Sequence, residues 1–599
     1  MRSPARVLNS LTKHSQTTEY RFERLYRILF NEEMYYLAYQ RIYAKPGNMT
    51  QGADGKTIDR MSLSRIEKLI LSLKDESYSP QPSRRVHIPK KNGKTRPLGV
   101  PSFDDKLVQE VVRMVLEAIY EGHFEDTSHG FRPHRSCHTA LNAVQKTFTG
   151  KKWFIEGDIK GFFDNVNHDI LIDILKERIS DERSIRLIRK FLRAGYLEQW
   201  RFHGTYSGMP QGGIISPVLA NIYLDKLDKY MKEYATGFDR GNRVRACREY
   251  EALTYQKRLV MRELKTATNN VERKVLVKRL KEIDKTRSAM PCFDPMDGNF
   301  KRLKYVRYAD DFLIGIIVSK VKIKDDIKRF LADRLALELS DEKTLITHTE
   351  KPAKFLGYEV TVRRSNLQKR NKRGSLSRVY GNKVRLKVTT EVIKKKLLEL
   401  GVLKFSYHNG HEQWIPKHRS ELINNDDLEI LDSYNAEIRG FYNYYSIANN
   451  ASELNTFHYI MQYSMYKTFA GKYRTTVRRI CRKYKRNGVF TVGYTVKNGK
   501  AKERRLYNEG FKRKRPSYDR SVDRCPNPMP GVSTTSLIDR LKAQKCELCG
   551  ATDNLVMHHV RKLGELKGKE NWEKLMIARR SKTMAVCGSC HQKIHHGTF

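Results

Sequence analysis

Three aspartates at the ends of apolar runs have the spacing and chemistry of a metal site. Asp310 and Asp311 follow Tyr308-Ala309 between two apolar runs, so a strand, a tight turn and a second strand would hold their carboxylates at the tip of a hairpin. Carboxylate oxygens are the ligands that Mg²⁺ prefers. Paired aspartates also occur in solvated turns, but Asp158 ends another apolar run and supplies a third carboxylate. The three residues together predict a site for two Mg²⁺ ions.

The last part of the sequence contains a second group of metal-binding residues. Two Cys-x-x-Cys pairs offer four thiolates, which suit tetrahedral Zn²⁺: Cys546, Cys549, Cys587 and Cys590. His558-His559 lies between the pairs, and His591 and His595 follow them four residues apart, on one helical face. A zinc ribbon that binds DNA is one interpretation. The four histidines favour the other, a catalytic metal centre beside the zinc.

The composition indicates a large protein with a polyanionic partner. The chain has 599 residues, and 115 Lys and Arg against 67 Asp and Glu give a formal charge of +48. The length predicts roughly three to five domains. So large a positive excess repels itself unless an anion neutralises it, which favours nucleic acid over an anionic membrane. Four of the nine cysteines fall in the two pairs, which favours metal binding over a disulfide framework.

No membrane segment is predicted from the sequence. The first residues lack the apolar core of a signal peptide. No later stretch reaches the roughly 18 apolar residues of a membrane span. We therefore expect a cytosolic or nucleic-acid-associated protein.

Hydrophobic periodicity and turn residues predict the first elements. Residues 20–45 are typical of an amphipathic helix, and residues 103–120 of a longer one. Residues 84–90 and 96–100 are predicted to pair as strands around a turn that contains Asn-Gly.

Later segments differ in composition. Residues 235–300 are rich in charged helix formers and are interpreted as a helical insertion. Beyond residue 380 the pattern becomes mostly helical and aromatic. Between residues 467 and 524, Lys and Arg far outnumber Asp and Glu and alternate with tyrosines, which favours contact with nucleic acid. Three prolines between residues 525 and 531 predict a linker before the Cys- and His-rich module.

Six sequence blocks occur in a fixed order along the first two thirds of the chain. They are residues 96–101, 129–133, 157–164, 210–217, 308–311 and 355–358. In this order they resemble the successive blocks of a reverse transcriptase, and more narrowly those of the reverse transcriptase encoded within group II introns. The domain order is similar to that of the lactococcal type within this family.

The resemblance implies a multidomain α+β protein. A right-hand polymerase with fingers and palm is expected over residues 1–380, including the insertion at 235–300. A helical thumb, called domain X, is expected over residues 381–500. A basic DNA-binding segment is expected over residues 501–542. Residues 543–599 are expected to form an HNH endonuclease, a ββα-metal module with a zinc knuckle.

The resemblance assigns the polymerase carboxylates. It implies that Asp158 and Asp310 bridge the two Mg²⁺ ions, that Asp311 supports the cluster, and that the main-chain carbonyl of Ile159 completes one metal shell. Asp164 could be a fourth ligand. The family pattern favours the alternative, a structural or capping carboxylate.

Neighbouring residues are implied to bind the incoming nucleotide. Phe163 lies where related enzymes place a ring that collides with a ribose 2′-hydroxyl, although a core Phe is the alternative. Lys90 and Arg96 lie on the predicted hairpin and would neutralise the triphosphate. Gln211 and the flexible Gly212 would approach the nucleotide and template.

Two further groups are implied to contact primer and template. Arg132 would contact the template backbone, and a structural ion pair is the alternative. The turn Phe355-Leu356-Gly357-Tyr358 would position the primer end.

The terminal module resembles the HNH endonucleases. On this resemblance His559 is the general base that deprotonates the attacking water, a role that suits a histidine near neutrality. His558, His591 and His595 would hold one divalent metal near the scissile phosphate. Thr583 or a residue nearby occupies the region where Asn is often found, which leaves the metal shell open.

The family implies a multifunctional protein. It would bind its intron RNA and promote splicing, as a maturase, nick one strand of target DNA, and copy the RNA from the resulting 3′ end. Expected cofactors are two Mg²⁺ at the polymerase site, one at the nuclease site and structural Zn²⁺. Expected partners are lariat intron RNA, double-stranded target DNA and dNTPs, with a homodimer also open. The expected location is the bacterial cytoplasm, at the nucleoid when the protein acts on DNA.

Two other functions remain open at this point. The protein could be an RNA-binding splicing cofactor whose polymerase and nuclease are relics, although the intact metal-binding sets argue against decay. It could also be a retrotransposon or defence-associated reverse transcriptase without an intron partner.

Overall fold

The computed structural model describes the greater part of the chain as a multidomain α+β fold. The described residues are 3–44, 47–89, 95–199, 201–294, 297–317, 321–363, 368–370, 374, 376–378, 382–495, 501–519, 537–579 and 581–597. Within them, buried apolar side chains form two large clusters and two small ones. None of the helices in these ranges is long and apolar enough to cross a membrane.

The N-terminal lobe, residues 3–100, consists of three helices and a hairpin. They are α1 (Pro4–Ser15), α2 (Glu32–Ile42), α3 (Leu63–Lys74), β1 (Ser83–Pro89) and β2 (Thr95–Val100). The helix predicted over residues 20–45 is shorter than expected, because the Asn31 side chain caps α2 by accepting a hydrogen bond from the Glu33 N–H. A 3-10 helix, Leu25–Phe30, precedes this cap. β1 and β2 pair antiparallel, which confirms the predicted hairpin.

The central lobe, residues 101–350, begins with the helix predicted over residues 103–120. Its first elements are α4 (Phe103–Tyr120), α5 (Cys137–Thr147), β3 (Trp153–Asp158), α6 (Phe162–Asn165), α7 (His168–Lys176), α8 (Glu182–Arg193), β4 (Tyr196–Glu198), β5 (Arg201–His203) and α9 (Ser216–Phe238). β4 pairs with β1 in parallel and with β5 in antiparallel direction. The resulting sheet, in the order β2-β1-β4-β5, joins the N-terminal lobe to the central lobe.

The predicted helical insertion is present as a hairpin of α10 (Arg248–Thr266) and α11 (Asn270–Ala289). Its two helices share a small core of their own: Val260, Ala267, Leu276 and Ile283. A β-bridge between Arg240 and Lys301 closes its base. The insertion is therefore a separate unit that begins and ends at one point of the central lobe.

The central sheet is antiparallel and lies between the two large cores. After the insertion follow β6 (Leu303–Tyr308), β7 (Asp311–Ile316), α12 (Val321–Leu335) and β8 (Leu345–His348), and the strand order is β6-β7-β3-β8. Successive side chains of a strand point to opposite faces. Ile155 and Ile314 belong to one core, and Phe154 and Leu313 to the other. Burial on both faces explains why these strands are continuous apolar runs in the sequence.

The aromatic lobe, residues 353–519, combines small sheets with four α-helices among its described residues. Its elements are β9 (Ala353–Phe355), β10 (Tyr358–Arg363), β11 (Gln368–Arg370), β12 (Leu376–Arg378), β13 (Lys383–Lys387), α13 (Thr390–Glu399), β14 (Leu403–His408), β15 (His411–Pro416), α14 (Asp427–Tyr445), α15 (Leu454–Lys472), α16 (Val477–Tyr484), β16 (Lys485–Arg486), β17 (Val489–Thr495) and β18 (Ala501–Arg505). Phe and Tyr side chains such as Tyr434, Phe457 and Phe469 fill its core.

The boundary predicted at residue 500 falls inside one sheet of the aromatic lobe. β18 pairs antiparallel with β17. Tyr507 and Phe511 are buried in the same core as α14. Residues 501–511 therefore belong to this lobe, because their apolar side chains pack on it, and the basic region begins within the lobe. The prolines of the predicted linker lie outside the described residues.

The terminal lobe, residues 537–597, has a ββα core. It contains α17 (Leu537–Lys542), β19 (Leu555–His559), α18 (Asn571–Arg579), β20 (Thr583–Cys587) and α19 (Gly588–His596). β19 and β20 pair antiparallel with His559 opposite Thr583. A small core of its own includes Met576, Met584 and Ile594.

Candidate active sites

The predicted hairpin brings the three aspartates to one end of the central sheet. β6 and β7 pair around the two-residue turn Ala309-Asp310, in which Ala309 has a positive φ of 57°. β3 lies beside β7 with Asp158 directly opposite Asp311. Side chains at opposite positions of an antiparallel pair are neighbours, with Cβ atoms about 4.5–5.5 Å apart. Asp158, Asp310 and Asp311 therefore form one carboxylate cluster.

A fully buried arginine holds the turn of this hairpin. Arg307 pairs with Asp228 through two hydrogen bonds of 2.8 and 2.5 Å, and its Nη1 donates to the Ala309 carbonyl at 2.8 Å. Further bonds run to Ser128 and Asn221. Burial opposes the charge, but Asp228 raises the pKa of Arg307 above its usual range. The sequence analysis missed this network, for which a charged residue inside an apolar strand was the available signal.

Gly130, in the sequence block of residues 129–133, packs closely against the backbone of the same turn. A Cβ built on Gly130 would lie 2.3 Å from the Ala309 nitrogen, so a side chain there collides with the backbone of the turn. The adjacent His129 N–H donates to the Arg307 carbonyl at 2.9 Å. The Gly130 carbonyl accepts from Asn221 at 2.7 Å. Residues 129–130 thus position the aspartate turn through its backbone.

The carboxylate cluster is electrostatically strained. Desolvation and repulsion from Asp158 raise the pKa of Asp310. Desolvation, together with repulsion from Asp310 and Asp158, raises the pKa of Asp311 to about 7. The Lys343 ammonium donates to Asp158 Oδ2 at 2.8 Å, and this cation was also missed by the sequence analysis. A positive charge among these carboxylates relieves their repulsion, as a divalent ion would.

The donor set of the cluster fits hard divalent cations. All three residues offer carboxylate oxygens, the preferred ligands of Mg²⁺. Among the described residues, two sets of metal-binding side chains have ligand atoms that all lie within 4.8 Å of one another, and both include residues of the terminal lobe. The three aspartates do not form such a set, so their oxygen atoms are spread more widely. Two ions roughly 3.5–4 Å apart require a wider ligand set than one ion.

Phe163 and Gln211 line one cavity of about 420 Å³ between the N-terminal and central lobes. Arg96 Nε donates to Gln211 Oε1 at 3.0 Å, and Gln211 Nε2 donates to Asp164 Oδ1 at 3.3 Å. This chain of bonds connects β2 with α6. Because the Asp164 carboxylate is engaged by Gln211, the geometry favours its structural role over a fourth metal ligand. Phe163 is half-buried and packs on the main core, so its ring has both a core contact and a cavity face.

Position 212 requires glycine because its backbone lies very close to the backbone of Gly99. Its φ is +115°, and a Cβ there would lie 2.4 Å from the Gly99 carbonyl oxygen. The Gly99 N–H donates to the Gln211 carbonyl at 2.7 Å. Only glycine permits this contact. Lys90, the other predicted triphosphate ligand, lies outside the described residues.

Two other predicted polymerase residues are buried. Ile159 follows β3 directly and is 1% exposed. Arg132 is 4% exposed, donates to Glu121 Oε1 at 3.0 Å and also donates to the Glu125 and Ser128 carbonyls. A side chain enclosed in this way does not reach a template backbone. Of the two roles that the sequence left open for Arg132, the structure favours the ion pair.

The turn predicted to position the primer is held by the aromatic lobe. Leu356 and Gly357 have φ of 50° and 72° and connect β9 with β10. Tyr444 on α14 donates from its hydroxyl to the Leu356 carbonyl at 2.9 Å. The flanking Phe355 and Tyr358 are buried.

The four cysteines converge as the sequence predicted. Their sulfur atoms all lie within 4.8 Å of one another. Desolvation opposes ionisation of Cys546, but backbone N–H groups of Cys549 and Cys587 lower its pKa to about 7. Thiolates are the form that binds zinc. The set is therefore compatible with a structural zinc ion.

Three of the four predicted histidines converge with an unpredicted aspartate. His558, His591, His595 and Asp59 offer ligand atoms within 4.8 Å of one another. Asp59 Oδ2 accepts hydrogen bonds of 3.0 Å from Nε2 of both His591 and His595. His558 is 3% exposed, and neither of its ring nitrogens has a hydrogen-bond partner among the described residues. A buried imidazole with unused nitrogens fits a metal ligand.

The predicted general base, His559, lies outside this metal-binding set and faces the N-terminal lobe. His559 donates from Nδ1 to the Met557 carbonyl at 3.1 Å, which leaves Nε2 as the basic nitrogen. Nε2 accepts a hydrogen bond of 3.0 Å from the Tyr39 hydroxyl. Burial lowers the pKa of His559 to about 4, so the imidazole is neutral near pH 7. Across the strand pair, Thr583 Oγ1 accepts from Arg540 at 3.0 Å.

Carboxylates gathered at the end of an antiparallel sheet, on a strongly basic chain, are the arrangement of a polymerase that transfers nucleotides. A ββα unit with convergent histidines is that of a metal-dependent nuclease. Three protein families match the chain in the same order. "Reverse transcriptase (RNA-dependent DNA polymerase)" matches residues 88–255, "Type II intron maturase" residues 382–515, and "AI2M/AI1M-like, HNH endonuclease" residues 546–591.

Curated relatives extend over the whole chain. The chain is 43% identical over 606 aligned residues to "Group II intron-encoded protein LtrA" of Lactococcus lactis subsp. cremoris, covering 100% of both proteins. It is 34% identical to "Putative COX1/OXI3 intron 1 protein" of Saccharomyces cerevisiae, covering 96% of this chain and 69% of the relative. It is 34% identical to "Protein YkfC" of Escherichia coli, covering 58% and 84% respectively. The chain belongs to the group II intron-encoded proteins.

This membership confirms the family and the combination of activities that the sequence predicted. The chain carries reverse transcriptase, intron maturase and HNH endonuclease domains, with roles in splicing, DNA cleavage and reverse transcription. It is therefore an enzyme with two catalytic domains.

Proposed function

We propose that this chain, bound to its intron RNA, nicks one strand of a target DNA and copies the RNA from the new 3′ end. Two separate sets of metal-binding residues on one chain support this proposal. They are the carboxylates of the central sheet and the histidines of the terminal lobe. One set suits polymerisation, which consumes a 3′ end. The other suits cleavage, which creates one.

At the polymerase site, Asp158 and Asp310 bind the metals and Asp311 supports the cluster. The Ile159 carbonyl completes one shell. Two Mg²⁺ ions would activate the primer 3′-hydroxyl and stabilise the leaving pyrophosphate. The Arg307 network and Gly130 hold the aspartates in place before substrate binds, so little reorganisation is needed during the reaction.

The incoming deoxynucleotide binds in the cavity lined by Phe163 and Gln211. The Phe163 ring opposes a ribose 2′-hydroxyl and favours deoxynucleotides. Arg96 and Lys90 neutralise the triphosphate. Gly212 lets the backbone after Gln211 approach the nucleotide and template.

The lobes correspond to the parts of a right-hand polymerase. The N-terminal lobe with the β1–β2 hairpin serves as fingers, the central sheet as palm and the aromatic lobe as thumb. The primer end contacts the backbone of the turn Leu356-Gly357, which the thumb holds through Tyr444. The basic stretch that begins in this lobe binds intron RNA and target DNA, because a chain of charge +48 needs polyanionic partners.

At the nuclease site, His559 takes the proton of the attacking water through Nε2. His558, His591 and His595 hold one divalent metal ion beside the scissile phosphate. The unused nitrogens of buried His558 support this assignment. The four cysteines hold a structural zinc that fixes β20 and α19 to the loop before β19.

The same proposal includes the cellular setting. The partners are lariat intron RNA, double-stranded target DNA and dNTPs, with a homodimer as a further possibility for the particle. A bacterial relative that matches the full chain supports work in the bacterial cytoplasm, at the nucleoid when DNA is the substrate.

Substitution Asp310→Ala tests whether cDNA synthesis and RNA splicing depend on separate sites. Loss of one metal carboxylate should reduce cDNA synthesis on a primed RNA template by about 10³-fold or more, because a metal-bridging charge stabilises the transition state. RNA-dependent splicing should remain near the wild-type rate. Primer extension and splicing are measured on the same preparation, with Asp75→Asn, an exposed carboxylate of the N-terminal lobe, as the control. An equal fall in splicing would contradict separate sites, and a wild-type protein without dNTP incorporation would favour the splicing-cofactor function.

A further inference from the structure

The free edge of β19 is docked on the N-terminal lobe. One edge of this strand pairs with β20. On the other edge, the Met557 N–H donates to the Met61 carbonyl at 2.8 Å, and the His559 N–H donates to Asp59 Oδ1 at 2.8 Å. An exposed strand edge presents unsatisfied backbone groups, and this contact satisfies two of them.

The contact between the two lobes is apolar and closely packed. Met61 and Met557 are both 0% exposed, and Leu541 of α17 is 2% exposed. These side chains belong to the same core as the N-terminal helices. At its rim, the Lys542 ammonium lies 2.9 Å from a carboxylate oxygen of Glu33. The terminal lobe is thus seated on the N-terminal lobe through a buried interface.

Asp59 lies against all three histidines of the metal-binding set. Its Oδ2 is hydrogen-bonded to Nε2 of both His591 and His595, and its Oδ1 lies 3.6 Å from Nδ1 of His558. A metal held by three histidines keeps one position for an oxygen of the substrate. An anionic carboxylate oxygen can occupy that position in place of a phosphodiester oxygen, because both are oxygen ligands for a divalent metal ion.

Tyr39 blocks the general base in the same way. Its hydroxyl donates to His559 Nε2, the nitrogen that must accept the proton of the attacking water. Tyr39 is 0% exposed and His559 is 5% exposed. The hydroxyl of Tyr39 therefore takes the place of the water, while Asp59 takes the place of the phosphate.

We propose that the N-terminal lobe holds the nuclease in a closed state, in which Asp59 is the fourth ligand of a divalent-metal centre with His558, His591 and His595. In this state Tyr39 covers His559, and DNA reaches the centre only after the two lobes separate at β19. The inference rests on the proposed nuclease assignment. It adds that the polymerase portion of the chain restrains cleavage.

Hydrogen exchange of the β19 amides tests the closed state. The full chain in complex with its intron RNA is measured in Mn²⁺ before addition of DNA, as wild type and as Asp59→Asn. Wild type should protect the amides of residues 557 and 559. Asp59→Asn should exchange about tenfold faster or more, the effect of losing bonds to a charged group. Tyr39→Phe, which removes only a hydroxyl, should give a smaller increase.

The controls separate opening from misfolding and from loss of the nuclease itself. Asp75→Asn, the same change on an exposed part of the N-terminal lobe, should leave exchange unchanged, and cDNA synthesis should stay at the wild-type rate in all variants. Nicking by Asp59→Asn should exceed the wild-type rate, because the variant weakens the contact that keeps DNA from the centre. Equal exchange in wild type and Asp59→Asn, or loss of nicking in Asp59→Asn, overturns the proposal. A wild-type complex that does not nick DNA refutes the nuclease assignment, and the exchange data still decide whether the contact exists.

Discussion

Gly130 has no side chain, and this lets its backbone pack against the turn that carries Asp310. The turn that carries Asp310 is stabilised from three directions: by the Arg307 guanidinium on the Ala309 carbonyl, by the paired strands, and by the backbone of residues 129–130. Each contact fixes the turn backbone, and the aspartate side chains then project from a rigid support. Such rigidity is what a two-metal reaction requires of its ligands.

Substitution Gly130→Ala should therefore damage catalysis more than stability. The new Cβ would meet the Ala309 nitrogen at 2.3 Å, so the turn has to move. A displacement of the aspartates by about 1 Å is expected to slow primer extension by about 100-fold. The unfolding free energy should fall by about 1–3 kcal/mol. Gly122→Ala, where a Cβ meets nothing within 4 Å, is the control and should retain full activity. Unchanged extension by Gly130→Ala would show that the turn does not position the metal ligands.

At this scale the sequence was informative where chemistry depends on residue type and spacing. Asp158 and the pair Asp310-Asp311 could be predicted from apolar runs that end in carboxylates, and the cysteines from their paired spacing. Arg307 could not, because only its complete burial and its partner Asp228, 79 residues away, reveal its role. The role of Arg132 stayed open between a template contact and an ion pair for a related reason, since an arginine that organises carbonyls inside the fold looks identical in sequence to one that binds phosphate.

At the scale of elements, the turn at residues 356–357 depends on a helix of another lobe. Both residues have positive φ, a conformation that costs Leu356 about 1 kcal/mol or more and persists because surrounding contacts hold it. Those contacts come from α14, where the hydroxyl of Tyr444 meets the Leu356 carbonyl and that of Tyr445 meets the Gly357 carbonyl. Helix α14 thus holds the conformation of the turn that we propose to meet the primer.

Tyr444→Phe should loosen this turn while preserving the aromatic core. Losing one hydrogen bond should lower the unfolding free energy by about 1 kcal/mol. The expected functional effect is shorter cDNA at each binding event, measured as the product length in the presence of excess competing template. Tyr459→Phe, a change on an exposed ring of α15 with 52% exposure, should behave as wild type. Equal product lengths for all three proteins would remove α14 from control of the primer turn.

Element boundaries were less predictable than the elements themselves. The helix over residues 103–120 and the helical insertion were both found, because apolar periodicity and charged helix formers are local signals. The helix over residues 20–45 was divided, since the Asn31 cap and a 3-10 helix interrupt a continuous apolar pattern. The boundary at residue 500 was misplaced because β18 is rich in basic residues and looks like part of the basic segment. The sequence does not show that β18 pairs with β17 or that the residues after it pack into the core.

In the whole molecule, the carboxylates of the central sheet and the histidines of the terminal lobe belong to lobes that share apolar cores. The central sheet contributes side chains to both large clusters, so the polymerase portion is continuous with the aromatic lobe. The terminal lobe has a small core of its own and a docked edge. The contact between Asp59 and histidines some 500 residues later could not be predicted from spacing. The residues around Asp59 carry no pattern that points to the terminal histidines, and the residues around those histidines carry none that points to Asp59.

Pre-nicked DNA separates the two reactions, because it supplies a 3′ end without cleavage by the terminal lobe. The protein–RNA complex is given intact or pre-nicked target DNA, and cDNA covalently joined to the target strand is measured for wild type, His559→Ala and Asp310→Ala. His559→Ala should give no joined cDNA on intact DNA, near wild-type yield on pre-nicked DNA, and unchanged zinc content. Asp310→Ala should nick intact DNA but join no cDNA to either substrate. Joined cDNA from His559→Ala on intact DNA, or none from it on pre-nicked DNA, would contradict cleavage by the terminal lobe as the source of the primer.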